Sequence, residues 1–271
     1  MVDTKANFGA GSIPEYYDRI MGPAQLERVG AELVRRLPAQ PPGDVLEVAC
    51  GTGIVTRQMR EKLARGVRLV ATDLSKPMVN YAREKLRSQT GIDWREADAM
   101  ALPFPDEAFG AVVCALGVMF VPDKAKAFRE ARRVLLHGGL YLFNTWDTLE
   151  HNAHPRTSDA LMRELFPNDA EMRFAAPYTF NNEGVIRRML TEAGFASIEF
   201  QQSRTAVECP SAREFATGVV RGTPRVALLE KRGASIDEVI DKLAAAFARL
   251  GGDKPFRTAM QAIIIQARVS P

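Results

Sequence analysis

The chain has 271 residues, 46% of them apolar and 25% charged, with a formal net charge of +3. That balance belongs to a folded globular chain and excludes a disordered, collagen-like or coiled-coil protein. The 36 Lys and Arg and 33 Asp and Glu are scattered without a run of five like charges, which argues against a nucleic-acid-binding stripe.

Short β-branched runs alternate with helical patterns, the signature of βαβ units around a parallel sheet. Residues 44–49 (DVLEVA) read as a first strand, 54–64 as a helix, and 67–73 (VRLVATD) as a second strand. Ser75 is placed to cap a helix over 77–88, with Pro77 in its first turn. A third strand is expected over 92–97, a fourth over 110–115 (GAVVCA), a helix over 123–136 and a fifth strand over 139–145. His137, before Gly138, is expected at a helix C-terminus, where a cation is favoured. A helix from about Asn181 should end at Gly194 in the C′ position. Late strands are expected over 197–208 and 256–269. Between them Ser235 and Glu238 form a capping-box pattern. After that pair, Ile236, Val239, Ile240, Leu243, Phe247 and Leu250 recur at the spacing of a core-facing helix.

Residues 148–180 and 210–252 break the alternation. They can be packing decoration or the material of a substrate lid. The longest charge-free apolar run, Phe109–Val121, has 13 residues, too short to span a bilayer. Met1–Tyr17 lacks the apolar core of a secretory signal. Cys50, Cys114 and Cys209 form no C-x-x-C; a reducing, cytoplasmic setting is expected.

The chemistry gathers where strands end. The first strand runs through Glu47-Val48-Ala49-Cys50-Gly51-Thr52-Gly53 into a helix. Glycines there let a ligand approach the backbone, and the helix N-terminus offers free N–H groups. Asp73 follows Gly53 by 20 residues, placed to accept from both hydroxyls of a ribose. Asp98 follows the third strand. Parallel strands present their carboxyl ends on one rim, so Glu47, Asp73 and Asp98 should line one crevice. A dinucleotide fingerprint would need glycine at position 56, where Thr56 stands, and Glu47 would repel a pyrophosphate. S-adenosyl-L-methionine carries an ammonium and a sulfonium and no phosphate, so the same acid favours it.

These motifs, Glu47-x-Ala49-x-Gly51-x-Gly53, Asp73 with Leu74-Ser75 and Met78, and Asp98-Ala99 with Leu102-Pro103-Phe104, resemble the class I S-adenosylmethionine-dependent methyltransferases. The branch they are most similar to holds the ubiquinone/menaquinone-biosynthesis C-methyltransferases and small-molecule methyltransferases. The resemblance covers about 43–147 and is weaker around Tyr16-Tyr17-Asp18. It implies a doubly wound, Rossmann-like α/β fold: a mostly parallel seven-stranded sheet with one antiparallel strand and helical lid insertions. Residues 1–42 would form N-terminal helices over the cofactor, 43–147 the cofactor-binding core, 148–180 and 210–252 the lid, and 181–209 with 253–271 the rest of the sheet.

The resemblance also implies roles. Glu47 would hold the methionine ammonium. Ala49, Gly51, Thr52 and Gly53 would pass beneath it. Asp73 would grip the ribose, and Leu74 and Met78 would pack on adenine. Asp98 would accept from the adenine amino group beside the Ala99 N–H. Leu116 would sit near the methyl group and Tyr17 would close over the cofactor. Ala49 departs from the family's first glycine, leaving slightly less room. S-adenosyl-L-homocysteine would be the product.

The acceptor is less legible. Methyl transfer from a sulfonium is largely a matter of positioning, and a base is needed only if the acceptor must lose a proton. His151 and His154 are candidate bases; both also read as exposed loop histidines, and no metal site is expected. Met119, Phe120, Trp146, Met162, Phe166, Tyr178 and Phe180 would give an apolar lid suited to a hydrophobic or aromatic small-molecule acceptor, or are simply core. No nucleic-acid or integral membrane partner is expected, and the sequence permits a homodimer. A non-catalytic S-adenosylmethionine-binding protein and an NAD(P)-dependent oxidoreductase remain the alternatives.

Overall fold

The computed structural model describes residues 8–173 and 175–271. The first seven residues of the expected N-terminal cover, and Phe174 of the first insertion, lie outside the described residues.

The sheet is built from β1 (Asp44–Val48), β2 (Leu69–Asp73), β3 (Ile92–Glu96), β4 (Phe109–Ala115), β5 (Leu135–Trp146), β6 (Ser197–Cys209) and β7 (Phe256–Arg268), in the order β3-β2-β1-β4-β5-β7-β6. The pairs among β1 to β5 are parallel, and β7 runs antiparallel to both β5 and β6. The expected architecture is therefore present, with β7 as the reversed strand. Its order turns back between β1 and β4, which opens a crevice at their carboxyl ends.

Alternation across the strands explains how both faces are covered. Val45 faces Leu33, Val34 and Leu37 at the end of α2 (Glu27–Val34), with Val55 and Met59 of α3 (Ile54–Lys62). Leu46 and Val48 face the other way, toward Phe128 of α5 (Lys124–Val134) and Ile186 and Leu190 of α7 (Glu183–Glu192). Helix α4 (Lys76–Lys85) packs along β2 and β3. β4 is buried on both faces and accordingly reads as an almost unbroken apolar run.

A third layer covers the carboxyl ends. It contains α1 (Ile13–Tyr16), which continues through a π-wound segment, Tyr17–Leu26, into α2. The two insertions supply α6 (Ala153–Leu165), α8 (Ala212–Arg221), α9 (Arg225–Lys231) and α10 (Ile236–Gly251). Phe215, Phe247 and Phe256 are fully buried at its centre, with Phe215 and Phe256 stacked at 4.9 Å. The α10 stripe faces this core at Val239, Ile240, Leu243 and Phe247, while Leu250 at its end is 37% exposed.

Several local expectations change. The helix expected over 123–136 stops at Val134, because Leu135 is already paired with Phe109 in the sheet. His137 therefore lies within β5 rather than on a helix end, with Nε2 3.0 Å from Glu107 Oε1. Ser75 occupies the N-cap of α4 but its hydroxyl makes no capping bond. Ser235 does cap α10, accepting from the Glu238 N–H, and Gly194 follows α7 with a φ of 96°.

The loop after β4 approaches the β1 turn closely at Gly117. A Cβ there would lie 2.5 Å from Ala49 Cβ and 2.9 Å from Cys114 Sγ. Gly117→Ala should destabilise the fold by about 1–3 kcal/mol through overpacking. Ala49→Gly should return part of that loss, which urea unfolding of the single and double variants will show as non-additivity. Strictly additive effects would mean that the two positions do not meet.

Candidate functional site

Left-handed backbone shapes the turn from β1 into α3. Ala49, Gly51 and Gly53 have φ values of 58°, 53° and 76°. Glycine adopts such angles freely, whereas alanine at position 49 carries about 1–2 kcal/mol of strain. Turned this way, Gly51 donates its N–H to Asp73 Oδ2 at 2.8 Å, and Ser75 donates its N–H to Asp73 Oδ1 at 2.8 Å. The end of β2 is thereby tied to the turn after β1. Burial raises the pKa of the Asp73 carboxyl, and the donated N–H groups pull it back.

Glu47 sits near the end of β1 with only 1% of its surface exposed. Its Oε2 accepts from Thr56 Oγ1, and its carbonyl accepts from Thr72 Oγ1 at 2.7 Å. Burial pushes the Glu47 carboxyl up to about 8; the Thr56 bond opposes this and the Asp73 charge adds to it. At the end of β4, Leu116 also takes a left-handed φ of 53°. Its N–H donates to Oδ1 of the fully buried Asn144 at 2.8 Å.

Two clefts result. The first is walled by Glu47, Ala49, Gly51, Thr52, Leu116 and Asn144 and covered by Tyr17 and Leu26. The second lies under the helical layer, between Phe120, Trp146, Tyr178, Gln25, His154, Ser158 and Arg225. Tyr17, Leu26 and Leu116 line both, so the clefts adjoin. The space of the second, open mouth included, is about 720 Å³.

The structure thus gathers Tyr17, Glu47, Ala49, Gly51, Thr52 and Leu116 in one wall. Asp73 joins them through Gly51, and its charge, with that of Asp18, adds to burial in raising the Tyr17 phenol. Gly53 lies at the start of α3. Leu74 is 66% exposed, and Met78 is buried at 3%. Asp98 and Ala99 stand just past β3, where Asp98 Oδ1 accepts from the Met100 N–H at 2.8 Å.

The two candidate histidines part company. His151 is exposed, with Nδ1 3.0 Å from Asp147 Oδ2, and does not line either cleft. His154 is not a loop residue; it is buried in α6 on the second cleft, and burial pushes its pKa down to about 3. Of the apolar lid candidates, Phe120, Trp146 and Tyr178 line that cleft. Met119 and Met162 are buried in the core beside it, Phe166 packs against the same core, and Phe180 lies against Phe128.

Three residues escaped the sequence reading. Thr56 is the Glu47 partner, and its signal was the absent glycine of a dinucleotide fingerprint. Asn144 was signalled by a polar residue near the end of an apolar parallel strand. Arg225, 4% exposed, carried no sequence signal at all.

Comparison with known proteins fits this geometry. Residues 46–143 match the methyltransferase domain family. The ubiquinone/menaquinone biosynthesis C-methyltransferase UbiE of Pectobacterium carotovorum is 30% identical over 169 residues, covering 58% of this chain and 67% of that protein. Among solved structures, the YcgJ protein of Bacillus subtilis superposes with a TM-score of 0.57 at 18% identity, over 90% of this chain and 98% of that one. A Haemonchus contortus phosphoethanolamine N-methyltransferase in complex with S-adenosyl-L-methionine superposes with a TM-score of 0.60 at 16% identity, over 95% of this chain and 57% of that one.

The fold and site define a class I methyltransferase. The chain belongs to the S-adenosylmethionine-dependent methyltransferases related to UbiE. S-adenosyl-L-methionine is its cofactor, and the first cleft fits that group. It offers a buried carboxyl for a cation. It also holds two buried polar atoms, Thr52 Oγ1 and Asn144 Nδ2, that have no partner among the described residues. No helix among the described residues is long and apolar enough to cross a membrane.

The Glu47 carboxyl yields a pH test. Its folded-state value of about 8 stands above the ordinary 4.5, so between these the folded chain holds this proton more tightly than the unfolded one. The contribution of this group is present below about pH 4.5 and is lost as pH rises through about 8. Unfolding free energy of the ligand-free protein should fall across that window, and Glu47→Gln should flatten the fall. Equal slopes in the two proteins would show that Glu47 does not titrate in this way.

Proposed function

We propose that the chain methylates carbon, oxygen or nitrogen of a small hydrophobic or aromatic metabolite, with the cofactor in the first cleft and the acceptor in the second. The observation that carries this reading is the shared wall of Tyr17, Leu26 and Leu116, where the two clefts adjoin. When bound, the cofactor supplies an electrophilic methyl carbon on a sulfonium, which leaves as the neutral thioether S-adenosyl-L-homocysteine.

Glu47 would hold the amino-acid ammonium, ionising as the cation arrives. Thr52 and Asn144 would satisfy their buried polar atoms on the same end of the cofactor. Ala49, Gly51 and Gly53 keep the turn's backbone low beneath it. Asp73, fixed by the Gly51 and Ser75 N–H groups, would accept from the ribose hydroxyls. Leu74 and Met78 would flank adenine. Asp98, with Oδ1 engaged by Met100, would offer its other oxygen to the adenine amino group beside the Ala99 N–H. Leu116 and Tyr17 would border the methyl group.

What the protein then contributes is alignment and dryness: a nucleophile held in line with the methyl carbon and sulfur, under residues 1–42, 148–180 and 210–252 as cover and lid. Neither histidine is retained as the base. His151 lies outside the clefts, and a pKa near 3 makes His154 a feeble proton acceptor. An acceptor that reacts from an already available lone pair suits such a site.

Thermal unfolding with S-adenosyl-L-homocysteine tests the cofactor assignment. Ligand at 100 times its Kd adds about 2.7 kcal/mol, which raises the Tm of a chain this size by roughly 5–10 °C. Asp73→Asn should weaken binding by about tenfold or more, the loss of about one charge-assisted hydrogen bond. NAD and NADPH should leave Tm unchanged. A Tm that moves with a nicotinamide nucleotide and not with S-adenosyl-L-homocysteine would overturn the reading.

A further inference from the structure

Polar side chains interrupt the largely aromatic and apolar wall of the second cleft. Two of them are already engaged: Ser158 accepts from Arg225, and Thr223 donates its hydroxyl to the Val219 carbonyl at 2.8 Å. Two are not. Gln25 Oε1 and His154 Nδ1 are buried and have no partner among the described residues. Gln25 is only 5% exposed and His154 only 3%, so bulk water does not stand in for the missing partners.

The two residues reach the cleft from different elements. Gln25 belongs to the π-wound segment, where Tyr17, Met21 and Gln25, spaced four apart, all face the cleft. His154 opens α6 and packs edge-on to Phe215 and Phe247, with ring centroids 5.0 and 6.2 Å away and planes near 82° and 83°. Those rings fix the imidazole and offer it no hydrogen bond. Burial pushes its pKa down to about 3, so the imidazole is neutral at ordinary pH and keeps one nitrogen lone pair. Beside this wall Trp146 and Tyr178 lie nearly parallel, with centroids 6.4 Å apart and planes 25° from each other. A buried polar atom without a partner costs stability, and an apolar side chain of the same shape would remove that cost. Local rules broken in this way, twice in one cleft, mark a functional surface.

We propose that Gln25 and His154 select the methyl acceptor by receiving an N–H or O–H donor on an aromatic ring that lies against Trp146 and Tyr178. This deepens, and rests on, the reading of the second cleft as the acceptor site. Both residues border that cleft alone, so the donor they hold is an anchor. The atom to be methylated lies toward Tyr17 and Leu116, where the clefts adjoin. An amide oxygen only accepts, so an acceptor without a donor leaves it unpaired and is rejected on that ground.

Binding of indole and of indene, its isostere without the N–H, is measured by calorimetry on the full chain saturated with S-adenosyl-L-homocysteine. Indole should bind at least about tenfold more tightly than indene. Gln25→Met and His154→Phe should each reduce that preference, and the double variant should abolish it. His154→Asn, which keeps an accepting atom close to the branch point, should retain more of it than His154→Phe. Binding of S-adenosyl-L-homocysteine reports that each variant is folded and should stay within about twofold of the parent. Without ligand, Gln25→Met and His154→Phe should raise Tm, since each replaces an unpartnered polar atom by carbon.

Equal affinity for indole and indene would overturn the proposal, as would an indole preference that survives in the double variant. A lower Tm in both single variants would also overturn it, since the polar atoms would then serve the fold. Binding of neither compound would overturn the reading of the second cleft as the acceptor site, and the proposal with it. Failure of the parent chain to bind S-adenosyl-L-homocysteine is a separate result, which would overturn the cofactor reading instead.

Discussion

The architecture of this site depends on one carboxyl group buried near the end of a central strand. Glu47 is almost wholly removed from solvent, and an ionised carboxylate in such a place is unfavourable unless it is paired. The protein meets that demand in part. Thr56 donates a hydroxyl to the carboxyl, and the group otherwise retains its proton, as its elevated pKa implies. A cationic ligand would supply the missing counter-charge. The same burial that holds the proton on Glu47 in the ligand-free protein would favour a positively charged ligand over a neutral one.

The neighbouring backbone is arranged around that group. Thr72 ties β2 to the Glu47 carbonyl, and Gly51 ties the following turn to the Asp73 carboxylate. Two residues other than glycine, Ala49 and Leu116, hold left-handed conformations on the two strands that flank the topological switch. Each is strained by its side chain. Each is also held from outside: Leu116 through Asn144, Ala49 by the close approach of Gly117. Strain is thus concentrated at one rim and braced by neighbouring strands, while the cover above it is built from helices.

The sheet was legible in the sequence because each of its elements follows from local composition. DVLEVA and GAVVCA read as strands of a parallel sheet, and the rim acids follow from where such strands end. Helix ends were less so. Val134 stops α5 because Leu135 has a pairing partner in Phe109, a long-range fact that carried His137 from a helix terminus into a strand. His154 was misplaced for a related reason. Its surroundings are supplied by Phe215 and Phe247, residues of a distant insertion, so nothing near it in sequence announced burial. Thr56 shows the reverse case. Read first as a failure to match a nucleotide fingerprint, it is the residue that holds Glu47.

Arg225 was invisible for the most general reason. The first cleft is assembled from strand ends whose positions are dictated by the sheet, whereas the second draws α6 and α9 from two insertions that meet only after folding. The covering layer has its own aromatic core, Phe215, Phe247 and Phe256, largely apart from the packing that covers the sheet's two faces. The family match spans residues 46–143 and ends before either insertion. The family model therefore covers the strand ends that wall the first cleft and leaves out α6 and α9 of the second. Since among the described residues the two clefts share only Tyr17, Leu26 and Leu116, side chains on α6 and α9 can change without touching Glu47 or Asp73. The walls of the two clefts are thus physically separable, the first fixed by strand ends and the second by the helical insertions.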